Sequence, residues 1–433
     1  MIRLQSVQNK LHYPIPGICA ILALIYLSPF VSSWLNYVAF MICIYRLVKY
    51  DERIFSVDYC CLISVATVFA LPGGLSFVVV LSLIAEVWFI IRDGLVADTA
   101  LVCLLLLACY IMLRMQSSLS DFVLCFSQLL IIYLLISFLD EQTIVLDIEL
   151  FVINVGVSSI YALLFRNSPA ISQLIGTEVT AYFGSSLTRF QGLLRDPNYY
   201  MSLVIMAIVL LTLLHFKKYI SKGLFLFGTG CMFLFGALTY SKTFIFLLCL
   251  YWLLCLFYLI RRKRYIFAVA FAAGTVCPAI LLSNTLFATT LYRITSASSV
   301  GELTTGRTTL IGTYCNEIMS SPGIMLFGEG MSAELLEKGT HNLFLEIQYY
   351  IGLIGLILFV SYFGTLVVWM RKKYTMGSVA TRLLNYSSLI VFIALFCSLQ
   401  GMFSISVYAL IYLAVISIGI PQNAVCKERC CYE

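Results

Sequence analysis

Charge is what this sequence lacks. Asp, Glu, Lys and Arg make up 11% of its 433 residues, while hydrophobic residues make up 61%, with a mean hydropathy of +0.99. Soluble domains carry about 25% charged residues, so a water-soluble globular protein is excluded. Histidine is nearly missing too: only His12, His215 and His341 are present. There is no internal repeat. The alternating segments of ~10 residues that a transmembrane barrel requires are also absent. No small-residue cleavage site follows the first apolar run, which therefore reads as a retained helix.

What remains is a succession of apolar runs of roughly 18 residues or more, each long enough for a hydrocarbon core of about 30 Å. Lipid offers the backbone no hydrogen-bond partners, so each run is expected to be a helix. Candidate spans lie near 15–32, 35–49, 54–71, 74–92, 97–115, 121–139, 147–165, 199–216, 224–239, 243–260, 265–283, 343–370, 384–400 and 403–420. The expected fold is an all-α, polytopic membrane bundle of twelve to fourteen helices. It divides into N-terminal helices (1–146), a central region (147–370) and C-terminal helices with a tail (371–433).

Basic residues orient the bundle. With the N-terminus inside, 19 of the 27 Lys and Arg residues fall in inner segments, among them Arg46, Arg92, Lys217 and the clusters 261–264 and 371–373. The net charge of +6 therefore reads as membrane anchoring, and nucleic acid is not expected as a partner. Most of the sixteen cysteines sit in apolar runs as small hydrophobes. Cys315 alone lies in a long outer loop. Cys426, Cys430 and Cys431 lie on the reducing side, with no fourth metal ligand nearby.

Two outer segments, 166–198 and 284–341, are too long to be simple turns. They hold Arg166, Arg189, Arg195, Arg293, Arg307 and Lys338 on the side where basic residues are disfavoured. Binding an anionic group would account for that excess. Asp196-Pro197-Asn198 reads equally as an ordinary helix start, a cap followed by proline in the first turn. Thr308–Ile318 suits a short amphipathic helix. Gly328-Glu329-Gly330 suits a tight backbone turn, with Glu329 either functional or simply a solvated loop acid. His341-Asn342 stands where the second loop re-enters the membrane, the one histidine placed to meet an external substrate.

These residues carry a resemblance. His341-Asn342 followed by Gly352-Leu353-Ile354-Gly355 resembles the His-Asn and Gly-x-x-Gly motif of the bacterial O-antigen ligase and polymerase superfamily. Arg189-x-x-Gly192-x-x-x-Asp196-Pro197-Asn198 resembles a second signature of its polymerase branch. Thr305-Gly306-Arg307 and Leu326–Gly330 resemble the linker between the two. The likeness covers about residues 150 to 370.

The resemblance implies a fold like the C-type glycosyltransferases and transfer of a glycan from a polyprenyl-pyrophosphate carrier to a sugar hydroxyl. It implies work at the outer face of the cytoplasmic membrane, without a metal or other cofactor, alongside other polysaccharide-assembly proteins. Arg189 and Arg307 would hold the pyrophosphate, and His341 would take the acceptor's proton, oriented by Asn342. Asp196, Asn198, Glu329, Lys242 and Arg195 would line the substrate. Lys242 stands where many relatives carry arginine after serine, and Arg195 is an additional base. A polymerase of lipid-linked repeat units is the leading expectation. The alternatives are a ligase that moves a finished chain onto lipid A core or another acceptor, and a flippase or transporter. The transporter is disfavoured because mid-span charges look sparse.

Overall fold

The computed structural model describes residues 15–71, 75–114, 119–176, 179–182, 185–269, 271–272, 287–297, 299, 304, 306–331, 336, 339–374, 379–399 and 404–421. The apolar runs do form helices. The N-terminal part contains α1 (Ile15–Leu27), α2 (Trp34–Lys49), α3 (Glu52–Leu62), α4 (Phe77–Asp93), α5 (Thr99–Arg114) and α6 (Leu119–Phe138). The central part holds α7 (Glu141–Phe165), α8 (Pro169–Ile175), α9 (Pro197–Phe216), α10 (Lys222–Ala237) and α11 (Lys242–Arg261). Then come α12 (Ala288–Thr295), α13 (Arg307–Ser320), α14 (Pro322–Phe327), α15 (Leu343–Lys373), α16 (Val379–Phe396) and α17 (Ile405–Ile418).

Helix starts follow local chemistry. The side chains of Asp51, Asp140, Ser221 and Ser241 each accept a hydrogen bond from a first-turn amide, satisfying donors that the helix leaves unpaired. Arg46 and Lys49 in the last turn of α2, and Arg371, Lys372 and Lys373 in that of α15, complement the negative helix end.

Among the described residues four helices, α7, α9, α11 and α15, are long and apolar enough to cross a membrane, and six shorter apolar helices accompany them. Apolar side chains such as Leu113, Ile91, Trp34 and Phe227 are exposed on the outside, which suits lipid and not water. At the centre lie α9 and α17, buried around their whole circumference, as uniformly apolar helices must be. They pack on each other, with α7, α10 and α16 against α9, and α6, α15 and α16 against α17.

Several expected boundaries move. The first helix stops at Leu27 and not near 32, and the run 54–71 is helical only to Leu62, then turns through a 3₁₀ segment at Ile63–Val65. The segment 166–198 is not wholly α: α8 is followed by an antiparallel hairpin, β1 (Val179–Tyr182) with β2 (Ser185–Thr188), in which Val179 faces Thr188. Its β-branched and aromatic residues favour strands. Residues 265–269 are helical, but most of the 265–283 span lies outside the described residues. So do His12, Thr305, Lys338 and the C-terminal cysteines.

Two basic residues read as inner-loop anchors are in fact buried. Arg46 turns inward and forms a two-pronged pair with Asp58, both bonds 2.8 Å long. Lys217 is enclosed and donates to the Ile420 carbonyl at 2.9 Å. The interior is also less poor in charge than the sequence suggests. Asp147 accepts from Ser56 and, at 2.8 Å, from Tyr412, while Glu86 accepts from Ser127 at 2.7 Å. Sparse mid-span charge therefore does not separate a transferase from a transporter here.

Removing one partner of the Arg46–Asp58 pair strands a buried charge, a loss of roughly 3–5 kcal/mol, whereas two apolar replacements are often tolerated. Arg46→Leu alone should lower the melting temperature in detergent sharply, and Arg46→Leu with Asp58→Leu should recover most of it. Additive losses in the double variant would refute the coupling.

Candidate functional site

The turn Thr239–Thr243 joins α10 to α11. Tyr240 adopts a left-handed backbone (φ 50°), and Ser241 caps α11, so the chain passes from one helix to the next within a few residues. Three arginines meet this turn. Arg189 Nε donates to Thr239 O at 2.9 Å, Arg293 to Tyr240 O at 2.7 Å and Arg307 to Thr243 Oγ1 at 3.1 Å. Lys242 occupies the first position of α11, where the helix contributes further positive potential.

Asp196 lies within electrostatic reach of Arg307. Burial pushes the Arg307 guanidinium down, Asp196 draws it back up and Arg293 pushes it down again. Arg293 is likewise lowered by burial. Among the described residues neither Arg293 nor Arg307 forms an ion pair. Like charges held together, half out of water, favour an anion between them.

The segment before α9 holds Arg189 in place. Phe190 N–H bonds Leu238 O at 3.0 Å, and Gln191 donates to the carbonyls of Ile175 and Gly176 at 2.8 and 2.9 Å. Gly192 (φ 57°) passes over the Tyr200 ring so closely that a Cβ would come under 3.0 Å from it. Asp196 caps α9, accepting from Asn198 N at 2.6 Å, with Pro197 in the first turn. The helix-start reading of these residues is thus what the structure contains. Asn198 also receives Arg189 at 3.3 Å, tying the cap to the arginine turn. Arg195 is exposed, and among the described residues it makes no hydrogen bond or ion pair.

His341 stands at the mouth of α15 with a left-handed backbone (φ 50°) and is half-buried. Thr340 and Asn342 lock the entry: Thr340 Oγ1 donates to Asn342 O and accepts from Asn342 N, at 2.8 and 3.1 Å. Asn342 Oδ1 accepts from Leu345 N at 3.1 Å. That oxygen is engaged as the cap of α15. One turn on, Glu346 is buried. Tyr199 lies within electrostatic reach of both Glu346 and Asp196, and it bonds Ser404. The start of α15 and the start of α9 therefore belong to one end of the bundle.

The Gly-Glu-Gly segment has a main-chain role. At Gly352 (φ 67°) α15 breaks, and carbonyls beside the break lose their helical donors. Glu329 N–H bonds Tyr349 O at 2.8 Å and Gly330 N–H bonds Tyr350 O at 2.9 Å. A Cβ on Gly328 would strike the backbone of Tyr350, and one on Gly352 that of Leu326 and Phe327. The two glycine motifs are thus two sides of one close contact. Glu329 itself is half-buried near Tyr349.

Comparison with known protein families, curated proteins and solved structures gives no match. Among the described residues no group of His, Cys, Asp and Glu could hold a metal ion. The structure brings Arg189, Arg307, Asp196, Asn198 and Lys242 to one turn, leaves Arg195 apart, and places His341, Asn342 and Glu346 at the neighbouring helix start. Sequence reading passed over Glu346 and gave Arg293 no individual role. An acid inside an apolar run was the signal for the first; the second belonged to the outer arginine excess but matched no motif.

Two glycines separate backbone strain from collision. Gly176 also has positive φ (72°), with nothing within 4 Å of a built Cβ. Gly176→Ala should lose about 1–2 kcal/mol for the left-handed backbone, and Gly192→Ala distinctly more, read as melting temperatures. Equal losses would show that Tyr200 does not constrain Gly192.

Proposed function

We propose that this chain is a membrane glycosyltransferase acting on a polyprenyl-pyrophosphate-linked glycan, most simply as a polymerase of capsule, exopolysaccharide or O-antigen repeat units. The observation that carries this reading is the convergence of Arg189, Arg293 and Arg307 on the N-terminus of α11, at the end of the bundle where His341 begins α15.

Guanidinium groups match phosphate oxygens through a planar fork of donors. A pyrophosphate held there would neutralise the crowded cations. As the bond between the anomeric carbon and the phosphate oxygen breaks, the electron pair goes to the pyrophosphate, where the arginines stabilise it. The acceptor hydroxyl forms the new bond to the anomeric carbon, and its proton passes to His341 acting as general base. Ligation to lipid A core or another wall acceptor would use the same chemistry with a different hydroxyl. The reading includes twelve to fourteen crossings of the bacterial cytoplasmic membrane, both termini inside and the arginine turn outside.

The test uses purified protein in detergent with a radiolabelled polyprenyl-pyrophosphate oligosaccharide. Wild type should produce a ladder of longer lipid-linked glycans. Arg189→Ala or Arg307→Ala should lower the rate on the order of 10²-fold or more, and His341→Ala by roughly 10²–10⁴-fold. Product that appears only when a lipid A core is added would establish a ligase. No transfer at all, with substrate movement in proteoliposomes, would replace the enzyme by a transporter.

A further inference from the structure

The plug at the break in α15 is itself held from behind. Arg114, the last residue of α5, donates to Gly328 O at 2.6 Å. Its own carbonyl accepts from Met331 N at 3.2 Å. Arg114 thus grips the Gly328–Met331 loop at both ends, while Glu329 and Gly330 at its centre bond the carbonyls of Tyr349 and Tyr350. α5 and α15 pack against each other, as do α14 and α15. Gly328 also ends α14, its N–H bonding Ile324 O at 2.8 Å. The half-helix Leu343–Ile351 is therefore fixed at both ends: Thr340 and Asn342 lock its start, and the gripped loop closes its finish.

We propose that Arg114 is a positioning residue for His341. By holding the Gly328–Met331 loop in the break at Gly352, it sets the height and tilt of the half-helix that His341 precedes. Three features carry this. The break leaves a short segment that α15's own ladder does not connect to the rest of the helix. The atoms that reconnect it are main-chain atoms of one loop, and the left-handed glycines Gly328 and Gly352 permit their approach. The side chain that fastens this loop to a different helix is Arg114. Its guanidinium is engaged with a main-chain oxygen of that loop. The inference rests on the transferase reading only for what His341 does.

Two measurements on the full chain in detergent test it. The first is hydrogen exchange of amides 346–351 in wild type, Arg114→Gln, Arg114→Lys and the lipid-facing control Leu113→Ala. Exchange there should accelerate in Arg114→Gln, partly recover in Arg114→Lys and match wild type in Leu113→Ala. The second is glycan transfer. Arg114→Gln should lose turnover on the order of 10²-fold through misplacement of the imidazole, with the KM for the lipid-linked donor unchanged, and Arg114→Lys should be intermediate. Wild-type exchange at 346–351 in Arg114→Gln, or undiminished turnover, overturns the proposal. So does a rise in donor KM at constant turnover, which would make Arg114 a substrate contact. If Arg114→Gln does not fold, Arg114→Lys carries both measurements. If wild type transfers no glycan, the transferase reading fails, and the exchange data still decide whether Arg114 holds the half-helix.

Discussion

Carbonyl oxygens stranded where α15 breaks at Gly352 set the terms for one end of this bundle. Buried away from water, such groups must find donors, and two of them find Glu329 and Gly330 N–H. That requirement brings a loop to the helix, demands glycine at 328 and 352, and fastens α5 to the same point through Arg114. The nine residues ahead of the break then become a separate rigid piece, with Asn342 at its head. A straight helix would have needed none of these contacts, and it would have carried the start of α15 to a different place.

The arginine turn rests on a second constraint, the scarcity of charge in an apolar chain. Each guanidinium here is half or more enclosed and is oriented by one well-placed acceptor. Arg189 is braced further by Asn198, itself part of the cap of α9. The cap, the turn and the central buried helix are therefore mechanically one unit. Glu346 and Tyr199 extend it toward α15 and, through Ser404, to the entrance of α17.

The long spans were legible in the sequence because twenty apolar residues admit little else: α7, α9, α11 and α15 appear where expected. The helix start at Asp196 was legible from cap chemistry, and α13 from the pattern of 308–318; the cap at Asn342 was not read. Other features were not. Arg46 sits at a helix end, where sequence cannot tell an inward turn from a loop anchor. The hairpin at 179–188 is too short to stand out against turns. The arginines' partners lie 50 to 64 residues away, and two of the three are carbonyl oxygens, which every residue possesses. Gly328 read as part of a local turn and Gly352 as part of a Gly-x-x-Gly motif, although what requires them is the close approach of the two backbones.

The way the arginines grip the turn has a bearing on how related chains should be read. Arg189 and Arg293 address main-chain oxygens of Thr239 and Tyr240, so the Tyr240 side chain can change without removing an acceptor. The Thr239 hydroxyl, by contrast, is buried and bonds Gly236 O and Ser241 N within the turn. Arg307 differs, because its acceptor is the Thr243 hydroxyl. In a relative that keeps all three arginines, positions 239 and 243 should stay Ser or Thr while 240 varies among residues that accept a positive φ. Variation at 240 is thus a poor sign of a lost arginine turn, and the two hydroxyls at 239 and 243 are good signs of a retained one.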